Sequence, residues 1–406
     1  MRILHVIPSV GPVRGGPSQA VLELVSAIRP LGVDAEIACT NDNGPDVLQV
    51  PTGSLMDYQG VPVRFFPRFS PSLRALREFA LSAPLTRWLR GNLGHYDLIH
   101  VHAFFSYASS AAMFLARKCG QPYINRPSGL LGHWALKQSR LRKRAFLALM
   151  DRANLEKSAA LEYTSELERD EAARLHLKPP AFVLPYGLDV PPLVTDAAAR
   201  LRARFHIPED EPVLLFLSRL HPKKGLHYLI EALGALPLQP FHLVIAGSGE
   251  PDYETSIREQ VAQRALRHRV HFAGFAGGED KQLLLQGADL FVLPSHSESF
   301  AIAALEAVAA GTPVLTTRDV PVALLVEKSG LGWVTGLQPS ELALSVERAL
   351  KQCRTLSRDA DFRARGRRLV ERNFSWSIIA ARTIEVYNAV LENRQPPSFE
   401  LSAAQV

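Results

Sequence analysis

The chain has 406 residues, 47% hydrophobic and 21% charged, the balance of a globular protein of two or three domains with ample core. It has no window of about 18 apolar residues, which excludes a membrane-spanning helix. Its three widely spaced cysteines, Cys39, Cys119 and Cys353, exclude a disulfide framework and a cysteine zinc site, and fit a reducing, cytoplasmic setting.

The net charge of +6 is unevenly placed. No acidic residue occurs between Asp97 and Asp151, whereas Arg117, Lys118, Arg126, Lys137, Arg140, Arg142, Lys143 and Arg144 all do. Such a block is a footprint for an anionic partner, a membrane surface or a phosphorylated acceptor, or else an ordinary solvated helix face.

In chain order, RILHVI (2–7) is too short for a secretion signal and reads as a first strand. VDAEIAC (33–39), VPVRFF (61–66), YDLIHVH (96–102), QPYIN (121–125), AALEYT (159–164) and AFVLP (181–185) follow as strands. Helical patterns fall between them near 17–30, 71–90, 106–119, 134–157 and 165–176. This alternation predicts a parallel sheet covered by helices on both faces. PYGLDVPPLVTD (185–196) reads as a linker. A second series then runs through PVLLFLS (212–218), FHLVIAG, VHFAG, ADLFVLP, TPVLTT and LGWVTG. Helical segments near 341–353, 360–372 and 376–393 close the chain, the last crossing back to the first domain, and residues past about 394 are expected to fray. The expected organisation is therefore an α/β protein of two facing, doubly wound, Rossmann-like domains, 1–190 and 191–375, with a cleft between them and a C-terminal region 376–406.

Ligands of open α/β sheets bind beyond the carboxyl ends of the strands, so the loops that follow strands are informative. In GPVRGGPS (11–18), Gly11, Gly16 and Ser18 sit as in a phosphate loop, but Pro17 replaces the lysine. Pro17 instead suits the first turn of a helix, and Gly15 and Gly16 strip side chains from a turn that comes close to a ligand. After the first strand of the second series, RLHPKKG offers Arg219 and Lys224, placed to close on one diphosphate, or else an exposed basic turn. In PSHSESFAIAALEAVAAGTPV (294–314), Glu306 is the lone polar residue between Phe300 and Ala310. Burying it unpaired would cost several kcal/mol, about 2–7 for a polar group and more for a charge, so a donor-rich partner is implied, either a ligand or a lysine. Glu298 stands just ahead of the same helix, where a carboxylate is favoured. The helix between them spans about 12 Å, so the two glutamates would bracket an extended ligand.

The E-x7-E run from Glu298 to Glu306, with SRLHPKKG upstream and EAVAAGTPVL downstream, resembles glycosyltransferase family 4. GGPSQAVLELVSAI, DLIHVH, SELERD and FAGFAGGEDKQLLLQGADLFVLPS extend the resemblance over nearly the whole chain. It implies the GT-B fold and a retaining, metal-independent transfer from a nucleotide-diphosphate sugar, without a bound cofactor or metal. It also implies residue roles. Arg219 and Lys224 would hold the diphosphate, and Glu306 the ribose. Glu298 would contact the donor sugar, together with Ser299 and the backbone at Phe300 and Ala301. Phe275 would flank the base, Gly249, Gly15 and Gly16 would line the donor, and His102 would stand near its sugar. Arg126, Ser128 and Gly129 occupy the loop where many relatives carry His-Gly on the acceptor side. Two more departures are Tyr186 in a linker often reading P-N-G, and Ala301 where many relatives carry glycine.

The only D-x-D, Asp359 to Asp361, lies in a predicted tail helix, which argues against metal-dependent phosphate binding. The expected donor is a UDP- or GDP-sugar, and the acceptor a saccharide or a polyprenyl-diphosphate-linked one in bacterial surface polysaccharide assembly. The basic amphipathic stretches 63–90 and 133–149 fit peripheral contact with an anionic membrane at the inner face of the plasma membrane, or are core helices with basic outer faces. The competing readings are a sugar-nucleotide epimerase of the same fold, a non-catalytic nucleotide-sugar-binding subunit and an NAD dehydrogenase. The last fits poorly, because Asp252 replaces the third glycine of G-x-G-x-x-G. Nucleic acid has only the net charge behind it.

Overall fold

A computed structural model describes residues 1–71, 77, 79–132 and 151–399. The chain forms two units: Met1–Gly187 together with the segment from Trp376, and Leu188–Ser375.

The first unit holds a sheet of eight strands. In chain order the strands of this unit are β1 (Arg2–Ser9), β2 (Asp34–Thr40), β3 (Asp42–Asn43), β4 (Asp46–Val47), β5 (Leu55–Tyr58), β6 (Val61–Phe66), β7 (Leu98–His102), β8 (Tyr123–Arg126), β9 (Ala160–Tyr163) and β10 (Ala181–Val183). The sheet order is β10-β9-β8-β7-β1-β2-β6-β5, and β3 pairs with β4 in a separate ribbon. All pairings in the large sheet are parallel except β5 with β6. The central strands are buried on both faces, which is why they read as unbroken apolar runs. Strand β5 was missed in the sequence because Leu55–Tyr58 is a partly exposed edge strand with polar neighbours.

Helix Gly16–Ile28 follows β1, carries Pro17 in its first turn and buries Ala20, Val21, Leu24, Val25 and Ile28 at helical spacing. Helix Tyr107–Cys119 starts under a Ser106 cap and stops at Gly120, whose φ is 70°. Of the predicted helix near 71–90, the structure describes Ala83–Asn92 at its end. Of the helix near 134–157, it describes only Arg152–Glu156, because 133–150 lie outside the described residues.

The last helix, Trp376–Leu391, packs within the first unit, where the Trp376 indole donates to Glu23 at 3.0 Å. Beyond it the expectation of fraying fails as far as Phe399. The Val183 amide donates to Ser398 Oγ at 2.9 Å, and the Phe399 amide to the Val183 carbonyl at 2.8 Å. Strand β10 is an edge, and its unpaired backbone groups recruit the returning tail.

The second unit has six parallel strands: β11 (Val213–Leu217), β12 (His242–Ala246), β13 (Val270–Gly274), β14 (Leu290–Leu293), β15 (Val314–Thr317) and β16 (Gly332–Thr335). Their order, β13-β12-β11-β14-β15-β16, is the doubly wound arrangement, with its reversal between β11 and β14. A buried ion pair braces this sheet. Arg202 Nη2 meets Asp289 Oδ2 at 2.6 Å, and the same oxygen accepts the Val213 amide at 2.9 Å. The predicted tail helix near 341–353 is two helices, Pro339–Leu350 and Cys353–Arg358, followed by Ala360–Phe374.

Candidate active site

In the second unit, the loops after β11, β12, β13 and β14 emerge along one sheet edge, at the reversal where such folds bind ligands. They bring Arg219, Lys224, Gly249, Phe275 and Glu298 to that edge, all singled out in the sequence.

The loop after β11 is knitted to its neighbours. The Leu220 amide donates to the Ser248 carbonyl at 2.9 Å, and the His296 amide to the Lys223 carbonyl at 2.9 Å. Gly225 caps helix Leu226–Gly234 in the left-handed region, with φ 68°, and a Cβ there would collide with the Pro294 carbonyl. The turn Pro222–Lys224 is therefore pressed against the chain leaving β14. Arg219 is exposed. Lys224 Nζ lies 2.6 Å from Glu298 Oε1, which also accepts from Ser295 Oγ at 2.6 Å.

Burial by itself would raise the Glu298 carboxyl. The charges of Lys224 and Lys223, and the bonds from Lys224 and Ser295, outweigh it and hold the group below its ordinary value. Glu298 is thus an ionised acceptor with its orientation fixed. Ser295, fully buried, was not legible as a partner, because nothing in its spacing distinguishes it from the other serines of PSHSES.

Helix Ile302–Ala310 begins at Ala301, whose φ of 73° lies in the left-handed region. That is the position where many relatives are expected to carry glycine, and the conformation explains why. The Phe300 side chain is buried against Phe374, with ring centroids 5.8 Å apart, so only its backbone is a candidate ligand contact. Glu306 pairs with Lys281, Nζ to Oε1 2.6 Å, on the neighbouring helix Gly278–Gly287. The lysine partner left open in the sequence is present, and the pair remains partly exposed. Phe275, directly after β13, is 67% exposed, an apolar face available for a planar group. Gly249 donates its amide to Glu254 Oε1 at 2.6 Å.

In the first unit the glycine turn after β1 is braced by a ribbon not read from the sequence. Gly15 has φ 82° and the Ser18 hydroxyl donates to the Ser9 carbonyl at 2.8 Å. Asp42, buried on β3, takes Arg14 Nε at 2.6 Å and pairs with the buried Arg68.

The structure places three of the first-unit candidates in buried hydrogen-bond networks. His102 does not stand on an open surface. It is 4% exposed, and its Nε2 lies 2.9 Å from His5 Nδ1. Burial, then the charges of His5 and Arg126, push its pKa well below the ordinary value, so the ring is neutral and unsuited to act as a general acid. The Arg126 guanidinium is buried in an ion pair with Glu162 and lies over the Tyr186 ring. The Gly129 amide is committed to Glu168, which also accepts the Thr164 amide at 2.8 Å. Only Ser128, at φ 54° and partly exposed, keeps a hydroxyl near the surface of that loop, 3.4 Å from Tyr186 Oη. The reason lies in the register. His102 and Arg126 are partners across adjacent central strands, where side chains meet the core before solvent.

No helix among the described residues is long and apolar enough to cross a membrane. The basic stretch 133–149 and residues 72–76 lie outside the described residues.

A family model described as "Glycosyl transferases group 1" matches residues 198–368, and one described as "Glycosyl transferase 4-like domain" matches 15–187. An uncharacterized glycosyltransferase of Methanocaldococcus jannaschii is 30% identical over 314 residues, covering 73% of this chain and 76% of that protein. The D-inositol 3-phosphate glycosyltransferase of Saccharomonospora viridis is 27% identical over 421 residues, 96% of this chain and 92% of that one. Among solved structures, Anabaena Alr3699/HepE in complex with UDP and glucose superposes with a TM-score of 0.73 at 20% identity, covering 96% of this chain and 100% of that one. Sucrose-phosphate synthase from Thermosynechococcus elongatus gives 0.74 at 20% identity, covering 96% of this chain and 99% of that one. The chain belongs to the group 1 glycosyltransferases, family 4, with the GT-B fold.

Proposed function

We propose that the protein is a retaining, metal-independent hexosyltransferase. It takes a UDP- or GDP-sugar as donor and a saccharide or polyprenyl-diphosphate-linked acceptor, in the assembly of bacterial surface polysaccharide. The observation that carries this reading is the arrangement at the β11–β14 reversal, where Arg219, Lys224 and the ionised Glu298 share one sheet edge. Arg219 and Lys224 would balance the charge that grows on the leaving diphosphate. Glu298 would orient the donor sugar through its hydroxyls, Glu306 would take the ribose, and Phe275 would stack on the base. Retention by front-side attack fits a site whose carboxylate is already neutralised by a lysine and so is a weak nucleophile. The UDP and UDP-glucose bound to Alr3699/HepE support a nucleotide-sugar donor.

The acceptor loop of the first unit would begin at Ser128. At the C-terminal end of helix Tyr107–Cys119, Arg117 and Lys118 flank the exposed Phe114, their charges 5.6 and 5.9 Å from its ring centre. This supports peripheral contact with an anionic membrane from the cytoplasmic side.

A panel of UDP- and GDP-hexoses is incubated with the protein and scored for free nucleotide diphosphate, followed by NMR of the product's anomeric configuration. Release from one donor, with the donor's configuration kept in the product, supports the reading. Interconversion of the sugar nucleotide with no acceptor would show an epimerase instead, and an inverted product would overturn retention.

A further inference from the structure

The large sheet of the first unit ends on two edges that are protected differently. Strand β5 carries Asp57, and a charge on an edge strand discourages another chain from pairing there. Strand β10 reads Ala-Phe-Val, with no charge, no proline and no break in its register to β9. The side chains of Phe182 and Val183 are fully buried. By composition, β10 is the type of edge onto which a second chain adds.

The ladder to β9 leaves part of β10 turned outward. The Leu161 amide donates to the Pro180 carbonyl at 2.9 Å, and the Leu184 amide to the Tyr163 carbonyl at 2.8 Å. Backbone groups alternate along a strand, so Val183 turns its own amide and carbonyl away from β9. One segment takes both. The Val183 amide donates to Ser398 Oγ at 2.9 Å, and the Phe399 amide to the Val183 carbonyl at 2.8 Å.

The chemistry of that segment ends the sheet instead of extending it. Pro396 and Pro397 have no N–H, so they offer no donor to a further strand. Their fixed φ also narrows the conformations open to the undocked segment, which lowers the entropy lost on docking. Ser398 meets the Val183 amide with its hydroxyl in place of a backbone carbonyl. Phe399 is held by Arg382 of helix Trp376–Leu391, whose guanidinium carbon lies 4.9 Å from the ring centre. Residues 392–395 are a short tether from that helix, which keeps the segment at the edge at an effective concentration on the order of millimolar.

We propose that residues 396–399 are a guard for the first sheet, and that the β10 edge beneath them is a pairing surface for a second copy of this chain. Two uncovered copies meet there antiparallel about a two-fold axis, because Ala181 and Val183 of each offer the same outward backbone groups to the other. All the groups involved lie in the first unit, and the transferase reading has no part in them.

The test compares the full chain with one that ends at Gln395. At low protein concentration, the Val183 amide of the shortened chain should exchange its hydrogen at least about tenfold faster, while the Leu184 amide, bonded to Tyr163, keeps its rate. In sedimentation velocity the shortened chain should associate as its concentration rises, where the full chain does not. A synthetic peptide of residues 394–406, added at about 1 mM, should reverse that association, and the same peptide with Phe399→Ala should not. If the shortened chain fails to fold, Phe399→Pro takes its place, since it removes both the amide facing Val183 and the ring facing Arg382. Unchanged exchange at Val183 overturns the guard, and so does equal acceleration at Val183 and Leu184, which would show general loosening. Identical sedimentation of the two chains at every concentration, or association that the peptide leaves undisturbed, overturns the pairing surface.

Discussion

Lys224 and Glu298, 74 positions apart, meet at 2.6 Å across the β11–β14 reversal. Each sets the other's state: the ammonium keeps the carboxylate ionised, and the carboxylate fixes where the ammonium sits. Charge-assisted hydrogen bonds of this type contribute about 1.5–3 kcal/mol, a factor of roughly ten to a hundred in rate if made in the transition state. Arg219→Ala removes an exposed cation that makes no hydrogen bond or ion pair among the described residues, so kcat should drop at least about tenfold with the melting temperature unchanged. Steady-state kinetics beside a thermal melt separates the two effects, and full activity would sink the diphosphate assignment.

Gly225→Ala should be far more damaging than its size suggests. The residue is left-handed at φ 68° and the new methyl would meet the Pro294 carbonyl, so the Lys224 turn must move away from Glu298. We expect a loss of about 2 kcal/mol or more in stability by denaturant titration and a rise in donor KM.

Ala301→Gly runs the other way. Alanine in the left-handed region costs about 1–2 kcal/mol relative to an unstrained residue, and glycine relieves most of that while adding unfolded-state entropy. A net gain of about 0.5–1 kcal/mol in urea unfolding is expected, with donor turnover kept.

The buried histidines His5, His100 and His102 predict acid sensitivity with a definite sign. Their rings are neutral in the folded state, whereas in the unfolded chain they titrate near 6.5. Below that value the unfolded state binds more protons, so stability falls as pH drops from 6.5 toward 3. Each ring contributes up to about 1.4 kcal/mol per pH unit in that window. Denaturant titrations at pH 7.0 and 5.5 should show the loss, and His100→Gln should reduce the slope. A stability that is flat or rising into acid would contradict neutral rings.

The doubly wound strands were legible because parallel strands buried on both faces write themselves as unbroken apolar runs, as RILHVI and VLLFLS do. Arg219, Lys224, Gly249, Phe275 and Glu298 were legible as candidates because they lie in the loops that follow those strands. What the sequence hid were partners distant along the chain: Ser295 for Glu298, Lys281 for Glu306, and Asp42 for the glycine turn. His5 and His100 face each other in register across β1 and β7, yet a histidine in an apolar run gives no sign of which strand it will meet. The burial of Arg126 and His102 was hidden for the same reason, since ending a strand does not decide whether a side chain turns to solvent or to the neighbouring strand.

The hydrogen bonds that tie His5 to Tyr387 span 382 positions, and the whole second unit lies between them in the chain. A ribosome therefore finishes the second unit before it delivers the helix that completes the first. Until Trp376–Leu391 emerges, helix Gly16–Ile28 and the ends of His5 and His100 lack the partners that bury them. The nascent first unit must wait, with apolar surface uncovered, for the time its successor takes to be made, about 10–40 s at 5–20 residues per second. Order of synthesis and order of completion are reversed in this molecule.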